Sequence, residues 1–353
     1  MPAMHIVIPA ALPPHPYAGE LAKHLPERAP GFVELLTRGR ATLEAFDPVA
    51  AGCTAFEAWQ LKQAGYVVEN PLPLGAGLGP LLAGVAARAS SAVPASIKPQ
   101  SPLGSIDPVL PPGASAPGSV QDNSVWLADL VHLALGTDHA SLITADALAP
   151  TLKETQSLLD ALAPVWADSG FTATLIDARR LRLRLPPGLV PMTASPNAVA
   201  GQPLRAWWAT DAASRPWRRI VNEIQMVWHD HPVNVARESR GQLPINGLWL
   251  YGGAHPWQSP KAAAPGHRPA VLDALTASAS MGDWSAWLDA IATLEASTFR
   301  PLLAGRTGAP LALTLTLMGE HRVANIAIAP RSPWLRWLPQ SKTNWTHWWS
   351  LPA

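Results

Sequence analysis

The densest group of side chains able to bind a charged ligand lies between His231 and Asn246. Arg237 and Arg240 are positively charged, and Asn234 adds an amide. A guanidinium matches the paired oxygens of a carboxylate or phosphate, while amides and imidazoles supply hydrogen bonds that orient such a group. The segment therefore predicts a binding site for a small anionic molecule, either phosphorylated or carboxylated.

An amphipathic helix is predicted just before this group. Apolar side chains recur at helical spacing between Trp217 and Trp228. Another face of the same helix carries three polar side chains, namely Asn222, Gln225 and His229. Solvated helix faces usually hold Lys and Glu, so these amides and this imidazole are further candidate ligand-binding residues.

Two shorter elements are predicted after that helix. Pro232 supplies no backbone donor and extends the residue before it, so it ends the first helix and suits the start of a second one over 232–240. Gly241 suits its C-terminal cap. A strand is predicted over 245–251, and Gly252 lets the chain turn at its carboxyl end, where ligands sit in open α/β sheets.

A structural interpretation of the same residues stays open. Asn234 could bond the backbone of the turn, and Arg237 could pair with Glu223 or Glu238. His231 could be a buried histidine whose hydrogen bonds are satisfied within the protein. Short motifs often match by chance, so spacing alone does not decide between a ligand site and a local framework.

The rest of the chain predicts a mixed α/β fold. Strands are predicted over 4–10, 172–177, 181–185, 311–318 and 323–328, and helices over 31–38, 54–63 and 151–166. Three prolines, Pro13, Pro14 and Pro16, predict a turn after the first strand. The segment 125–135 fits either a helix or a strand.

A change of composition suggests a domain boundary. Residues 89–120 contain seven Pro and seven Ser but only two charged side chains, and their apolar residues show no period. Such a segment predicts a disordered loop or linker. It separates an N-terminal α/β part, 1–88, from a C-terminal α/β part, 121–353, and the two parts form either two domains or one continuous domain.

Composition also narrows the class of protein. The net charge is +1 and 14% of the 353 residues are charged, which predicts no nucleic-acid or anionic-membrane partner. The single cysteine, Cys53, permits neither an intramolecular disulfide nor a cysteine metal cluster. The first residues lack the charged region of a signal peptide, and no apolar run reaches membrane-spanning length. We therefore expect a soluble, cytoplasmic protein.

The segment around His231 also resembles a known signature, that of a proteobacterial family of phosphoglycerate-mutase-like proteins. The matching residues are His231-Pro232-Val233-Asn234, Ala236-Arg237-Glu238, Gly241, Leu243-Pro244, Asn246 and Leu248-Trp249. One branch of that family is known as a regulatory protein of pathogenicity factors. A shorter version is similar to the substrate-binding region of archaeal-type cofactor-independent phosphoglycerate mutases. A weaker match over 126–133, with Leu130 in place of the usual Pro, adds Asp129 and His132 as candidate ligand-binding residues.

The resemblance implies an α/β fold with a mixed sheet flanked by helices, in a partial alkaline-phosphatase-like, phosphoglycerate-mutase-like architecture. Enzymes of that superfamily resemble one another in an Asp ending the first strand, a Ser or Thr nucleophile, and a late cluster similar to His-Gly-Asp-His. Here the predicted first strand carries no Asp, and Glu320-His321 is the nearest equivalent of the late cluster. We therefore expect no catalytic residue, no metal and no cofactor.

Three hypotheses follow. The first is a non-catalytic, regulatory phosphoglycerate-mutase-like protein that binds a small anionic metabolite. The second is a divergent metal-dependent phosphoglycerate mutase or phosphatase, with ligands drawn from Asp129, His132, Asp138, His229 and His231. The third is a structural protein that binds a partner through its Trp-rich C-terminus. Those tryptophans are Trp334, Trp337, Trp345, Trp348 and Trp349. Docking of this arm on its own core is the outcome that we expect.

Overall fold

The computed structural model describes residues 4–84, 123–136, 140–208, 210–258, 269–304, 312–329 and 344–350. The predicted linker 89–120 lies outside the described residues, as do Asp138, Trp334 and Trp337. The described chain has a mixed α/β architecture with two five-stranded sheets flanked by helices, which confirms the predicted fold class.

The strands are β1 (Met4–Leu12), β2 (Arg40–Ala45), β3 (Trp126–Leu135), β4 (Ala140–Ile143), β5 (Thr172–Leu175), β6 (Arg180–Arg184), β7 (Gly247–Gly252), β8 (Ala270–Val271), β9 (Leu313–Gly319) and β10 (Arg322–Ile328). The helices are α1 (His15–Arg28), α2 (Pro30–Arg38), α3 (Pro48–Ala51), α4 (Ala55–Gln63), α5 (Leu78–Leu82), α6 (Ala145–Leu148), α7 (Leu152–Asp160), α8 (Ala163–Ala167), α9 (Pro196–Val199), α10 (Arg215–His229), α11 (Pro232–Ser239), α12 (Thr276–Ser280), α13 (Trp284–Leu294), α14 (Arg300–Ala304) and α15 (Trp345–Trp349). Two 3₁₀ turns (Leu74–Gly77 and Leu204–Ala206) and one π-helical turn (Glu295–Phe299) complete the elements.

The first sheet has the strand order β2-β10-β9-β1-β8. β1 is parallel to β8 and β9, whereas β10 is antiparallel to β9 and β2. Because side chains alternate along a strand, Ile6 and Ile8 point to one face, where they pack in a core with Phe32 of α2. Val7 belongs to a separate cluster with Ala55 of α4. The sheet is therefore covered by helices on both faces.

The second sheet is built around β3. This strand pairs antiparallel with β4, β6 and β7, and residues 126–129 have partners on both sides. The helix α10 covers the sheet with its apolar stripe, in which Trp217, Ile224 and Trp228 are buried. The predicted amphipathic helix is thus confirmed, and 125–135 is resolved as a strand.

A close backbone approach joins α5 to the second sheet. A Cβ atom on Gly79 would lie 1.9 Å from the Val125 carbonyl oxygen and 3.2 Å from the Cα of Gly252. Around this approach Leu78 and Leu127 are fully buried in a shared cluster. The missing side chain at position 79 lets the helix lie directly against the ends of β3 and β7.

The described part of the C-terminal arm docks on the protein's own core, as expected. Trp349 on α15 is fully buried, and its ring centroid lies 6.3 Å from that of Trp287 on α13. Arg322 donates a hydrogen bond of 2.7 Å to the Trp349 carbonyl. Trp345 is buried in the same cluster, so neither of these two indoles presents a partner surface.

Among the described residues, none of the helices combines the length and the apolar character that crossing a membrane requires.

We predict opposite effects for two glycine substitutions. Gly79→Ala should destabilise the protein by about 2 kcal/mol or more, because its Cβ meets a backbone carbonyl that cannot move alone. Gly19→Ala is the control: it lies in α1 with nothing within 4 Å of a Cβ, so it should stabilise the helix by about 0.5–1 kcal/mol. Urea unfolding of both variants measures the difference, and equal midpoints would contradict the close approach.

Candidate functional site

The segment that carries the candidate ligands folds locally as predicted. α10 ends at His229, and His231 caps α11 by accepting a hydrogen bond of 3.2 Å from the Val233 N–H at Nδ1. Burial lowers the pKa of His231 from its ordinary value. The cap uses the unprotonated nitrogen as an acceptor, which favours the same neutral form.

Arg237 is held inside the protein. Its residue surface is 1% exposed, and its guanidinium donates from Nε to the Leu243 carbonyl at 2.8 Å and from Nη2 to the Leu148 carbonyl at 2.7 Å. Nη1 lies 3.3 Å from a carboxylate oxygen of Glu154. All three of its nitrogens thus bond groups of the protein itself, but the acidic partner is Glu154 on α7 and not Glu223 or Glu238, the two expected from the sequence.

Asn234 uses both ends of its amide in the same way. Its Nδ2 donates to the carbonyls of Trp228 and Ile245, each at 2.8 Å, and its Oδ1 accepts from the Ile245 N–H at 2.8 Å. The residue is 1% exposed. It therefore ties the end of α10 and the start of α11 to the chain that enters β7.

Asn246 and His132 attach that entering chain to β3. The Asn246 amide accepts from the Leu133 N–H at 2.7 Å and donates to the Leu133 carbonyl at 3.1 Å. The His132 Nδ1 lies 2.8 Å from the Pro244 carbonyl oxygen, so that nitrogen donates a hydrogen bond. The side chains of Asn246 and His132 thus add hydrogen bonds just beyond the point where the backbone pairing of β3 with β7 ends.

Asp129 lies in a buried ionic cluster. Both of its oxygens accept from Arg180, at 2.7 and 2.9 Å, and the Tyr251 hydroxyl donates to it at 2.9 Å. Burial raises the pKa of Asp129, and the two partners oppose that rise. Burial, with the charge of Asp129, also raises the pKa of Tyr251 well above its usual range. The cluster clamps β3 to β6 and β7.

The polar face of α10 lies apart from these contacts. Asn222 and His229 are exposed, and Gln225 is half-buried. None of the three lines the groove between α7 and α11 that is described below. Ligand binding by Asn222, Gln225 and His229 therefore stays a prediction, as it does for the residues held in the framework.

An open groove of about 680 Å³ lies between α7 and α11. Its polar lining consists of Thr151, Lys153, Glu154, Ser157, Arg237, Arg240 and Gln242. The Arg240 side chain is 52% exposed and donates to Glu154 at 3.0 Å, while Lys153 is exposed. Burial disfavours the charge on Glu154, but hydrogen bonds from Thr151 and the two guanidinium groups outweigh it and lower the pKa of that carboxyl. Three cations thus face one carboxylate.

Sequence reasoning missed Lys153 and Glu154 as groove residues. The spacing of Thr151 and Glu154 predicts a capping box, which α7 does contain, but it carries no signal of the arginines more than eighty positions later. Glu57 is a second case. Its capping box with Thr54 is a local contact, whereas the hydrogen bond of 2.6 Å that its buried carboxylate accepts from Ser195 has no local signal in the sequence. Contacts between residues this far apart in the sequence depend on the tertiary fold.

The part of the chain that the structure describes contains no group of three or more His, Cys, Asp or Glu side chains placed to hold a metal ion. Among the residues considered as ligands, Asp129 bonds Arg180, and His132 bonds a backbone carbonyl. Asp138 lies outside the described residues.

No protein-family model and no curated protein matches the sequence. Two solved archaeal structures are similar to it. A cofactor-independent phosphoglycerate mutase from Thermoplasma acidophilum is 15% identical over 93% of this chain and 90% of that chain, with a TM-score of 0.30. A protein from Pyrococcus horikoshii is 14% identical over 93% and 88%, with a TM-score of 0.41. Likenesses at these TM-scores support no inference about activity, and the proteobacterial branch is not confirmed.

We predict that Arg237 is needed for stability. Arg237→Leu should lower the free energy of unfolding by about 3 kcal/mol, because two carbonyls and Glu154 lose their buried partner. Arg240→Leu is the matched control and should cost less than about 1 kcal/mol, since its ion pair is exposed. Urea unfolding measures both, and equal losses would mean that Arg237 is not part of the framework.

A second prediction concerns pH. Because the pKa of His231 is lower in the folded protein, the unfolded chain binds that proton more readily. The stability that depends on the neutral ring is complete above about pH 6.5 and is lost as the pH falls through the lowered pKa. His231→Asn keeps an N-cap acceptor without a titrating ring. Between about pH 7 and about pH 5, the His231→Asn variant should lose less stability than the wild type, as measured by thermal unfolding. Equal losses in the two proteins would contradict the role of the neutral His231 ring as the cap of α11.

Proposed function

We propose that this chain is a non-catalytic, regulatory, cytoplasmic protein of the phosphoglycerate-mutase-like kind, and that it binds a small phosphorylated or carboxylated metabolite in the groove between α7 and α11. One observation carries the proposal: Lys153, Arg237 and Arg240 line an open groove that contains a single carboxylate, Glu154. The excess of positive charge favours an anion.

The groove offers two kinds of contact. Arg240 and Lys153 have exposed cationic groups that can bond phosphate or carboxylate oxygens directly. Arg237 is fixed by its carbonyl partners, so it contributes charge from beneath the surface. Gln242, whose Oε1 accepts from the Nε of Arg240, has an amide nitrogen that can donate a hydrogen bond to the ligand and orient it.

In this proposal four other predicted ligand residues, Asn234, Asn246, His132 and His231, act as a framework. Asn234 and Asn246 anchor the ends of α11 and β7, and His132 holds the turn between them. His231 caps the start of α11, and Arg240 is the C-cap residue at the other end of that helix. The framework keeps the cationic side of the groove at a constant position relative to α7.

The non-catalytic assignment rests on how two of the buried carboxylates are used. Asp129 is saturated by Arg180 and Tyr251, and Glu57 by Ser195, Asn197 and Thr54. A general acid or base needs an oxygen that can reach a substrate. The alternative, a metal-dependent mutase or phosphatase, would require turnover of phosphoglycerate in the presence of Mn²⁺, Zn²⁺ or Mg²⁺.

Calorimetric titration with 3-phosphoglycerate tests the groove. Arg240→Ala and Lys153→Ala should each weaken binding about tenfold, because each removes one charge-assisted contact worth about 1.5 kcal/mol. Arg219→Ala is the control: this arginine is an exposed residue on α10, paired with Glu223, and it does not line the groove.

Three results would contradict the proposal. The first is the absence of saturable binding, and the second is equal affinity in the wild type and Arg240→Ala. The third is product formation from 3-phosphoglycerate with any of the three metal ions, which would favour the enzyme instead.

A further inference from the structure

The strand β2 forms one edge of the first sheet, and its outer side is open. Among the described strands it pairs only with β10. Five of its six residues are exposed, and the sixth, Ala41, is half-buried. The strand contains no proline, and its register with β10 shows no bulge, so two features that commonly protect a sheet edge are missing from it. An edge of this kind accepts a further strand through backbone hydrogen bonds.

The pairing with β10 determines which backbone groups of β2 face outward. The Phe46 N–H donates to the His321 carbonyl at 2.8 Å, one position beyond the last pair of the β2–β10 ladder. Because the backbone groups of an antiparallel strand point alternately to its two sides, the even-numbered residues of β2 face β10. The N–H and carbonyl groups of Ala41, Leu43 and Ala45 therefore point away from β10, toward the open side.

The exposed face of β2 carries opposite charges on either side of Thr42. Arg40 and Glu44 are four residues apart, so both lie on the same face of the strand as Thr42. Within the part of the chain that the structure describes, neither of them has an ionic partner, and Glu44 bonds the neutral amide of Asn325. Like charges at these two positions would repel a second copy of the strand, whereas opposite charges attract one.

A chain of hydrogen bonds fixes Glu44 at this edge. The His5 Nε2 lies 2.9 Å from the Thr316 Oγ1, and the Thr316 hydroxyl donates to the Asn325 Oδ1 at 2.8 Å. Since that hydroxyl gives its proton to Asn325, it accepts from His5. The Asn325 Nδ2 donates to one Glu44 oxygen at 3.0 Å. The chain thus crosses the sheet from β1 to β2, and it leaves the second carboxylate oxygen of Glu44 as an acceptor.

We propose that β2 pairs with β2 of a second copy of this chain, antiparallel and around a two-fold axis at Thr42. Each Arg40 then lies opposite Glu44 of the second copy, and Thr42 lies opposite its own copy. These are non-hydrogen-bonded pairs, whose side chains approach most closely. The outward groups of Ala41 bond those of Leu43 in the second copy. The first sheets of the two copies become one continuous sheet across an isologous interface.

The backbone, the charges and the apolar side chains all agree with this register. Registers centred on Arg40 or Glu44 put like charges opposite each other, and those centred on Ala41 or Leu43 put a charged residue opposite Thr42. The register centred on Thr42 pairs opposite charges on one face. On the other face it places the Leu43 side chain, which is 38% exposed, beside Ala41 of the second copy.

Sedimentation velocity of the full chain over about 5–500 µM measures the association. A single strand pair is small for a protein interface, so we expect a reversible dimer with a Kd of about 100 µM or tighter. A monomer at every concentration would overturn the proposal, and this test needs no variant. The outcome is independent of the ligand groove, because β2 supplies none of the described lining of that groove.

Charge reversal tests the pairing of Arg40 with Glu44. Arg40→Glu makes the edge negative and Glu44→Arg makes it positive, so each variant alone should dimerise about tenfold more weakly than the wild type. An equimolar mixture of the two should regain the wild-type Kd, because opposite charges face each other again. Arg219→Glu, an exposed charge reversal on α10, is the control and should leave the Kd unchanged. A mixture no tighter than the separate variants would overturn the register.

A cysteine on the axis tests the register without relying on affinity. Thr42→Cys places two thiols in a non-hydrogen-bonded pair, whose Cα atoms lie about 4.5 Å apart, within reach of a disulfide. Leu43→Cys is the matched control, because its own copy lies about 7–8 Å away on the diagonal, beyond that reach. Cys53 is buried and does not compete. With oxidised glutathione, the covalent dimer should form at least about tenfold faster in Thr42→Cys; equal rates in the two variants would overturn the proposal.

Discussion

A buried guanidinium has to find oxygen acceptors for its donors, and Arg237 meets that requirement with groups from three parts of the chain. Leu148 precedes α7, Glu154 lies within α7, and Leu243 precedes β7. The positions of α7, α11 and the entry to β7 are therefore set together. Because the groove lies between the first two of these elements, its width depends on the same side chain.

The local part of this arrangement could be predicted from the sequence, and the long-range part could not. The apolar stripe around Trp217 and the stop at Pro232 specify α10 and α11 through neighbours within a few residues. The meeting of Arg237 with Glu154 spans 83 positions, and no local pattern encodes it. The sequence predicted a turn at the prolines after β1, but Pro14 is the N-cap of α1 and Pro16 lies in its first turn, where a proline is tolerated.

The same segment shows why a motif and a ligand site are different things. Asn234, Arg237 and Asn246 belong to the densest sequence match, yet their described bonds are with backbone carbonyls, backbone N–H groups and Glu154. Side chains that replace missing backbone partners tolerate few substitutions, since each would leave a buried group unbonded. Such residues form a recognisable pattern through the demands of folding alone. The exposed residues of the groove, Lys153 and Arg240, are not among the residues of that sequence match. They are the residues that we propose to bind the ligand.

The topology of the first sheet has a consequence for how the protein is made. β1 pairs only with β8 and β9 among the described strands, and the side chains of His5 and Thr316 meet across 311 positions. At about 5–20 residues per second, a ribosome needs roughly 15–60 s to deliver those partners after β1 has emerged. During that time the hydrogen-bonding edges of an apolar strand stay open, which is the condition under which nascent chains aggregate or recruit chaperones. Among the described strands, β1 is thus one of the last to gain its partners.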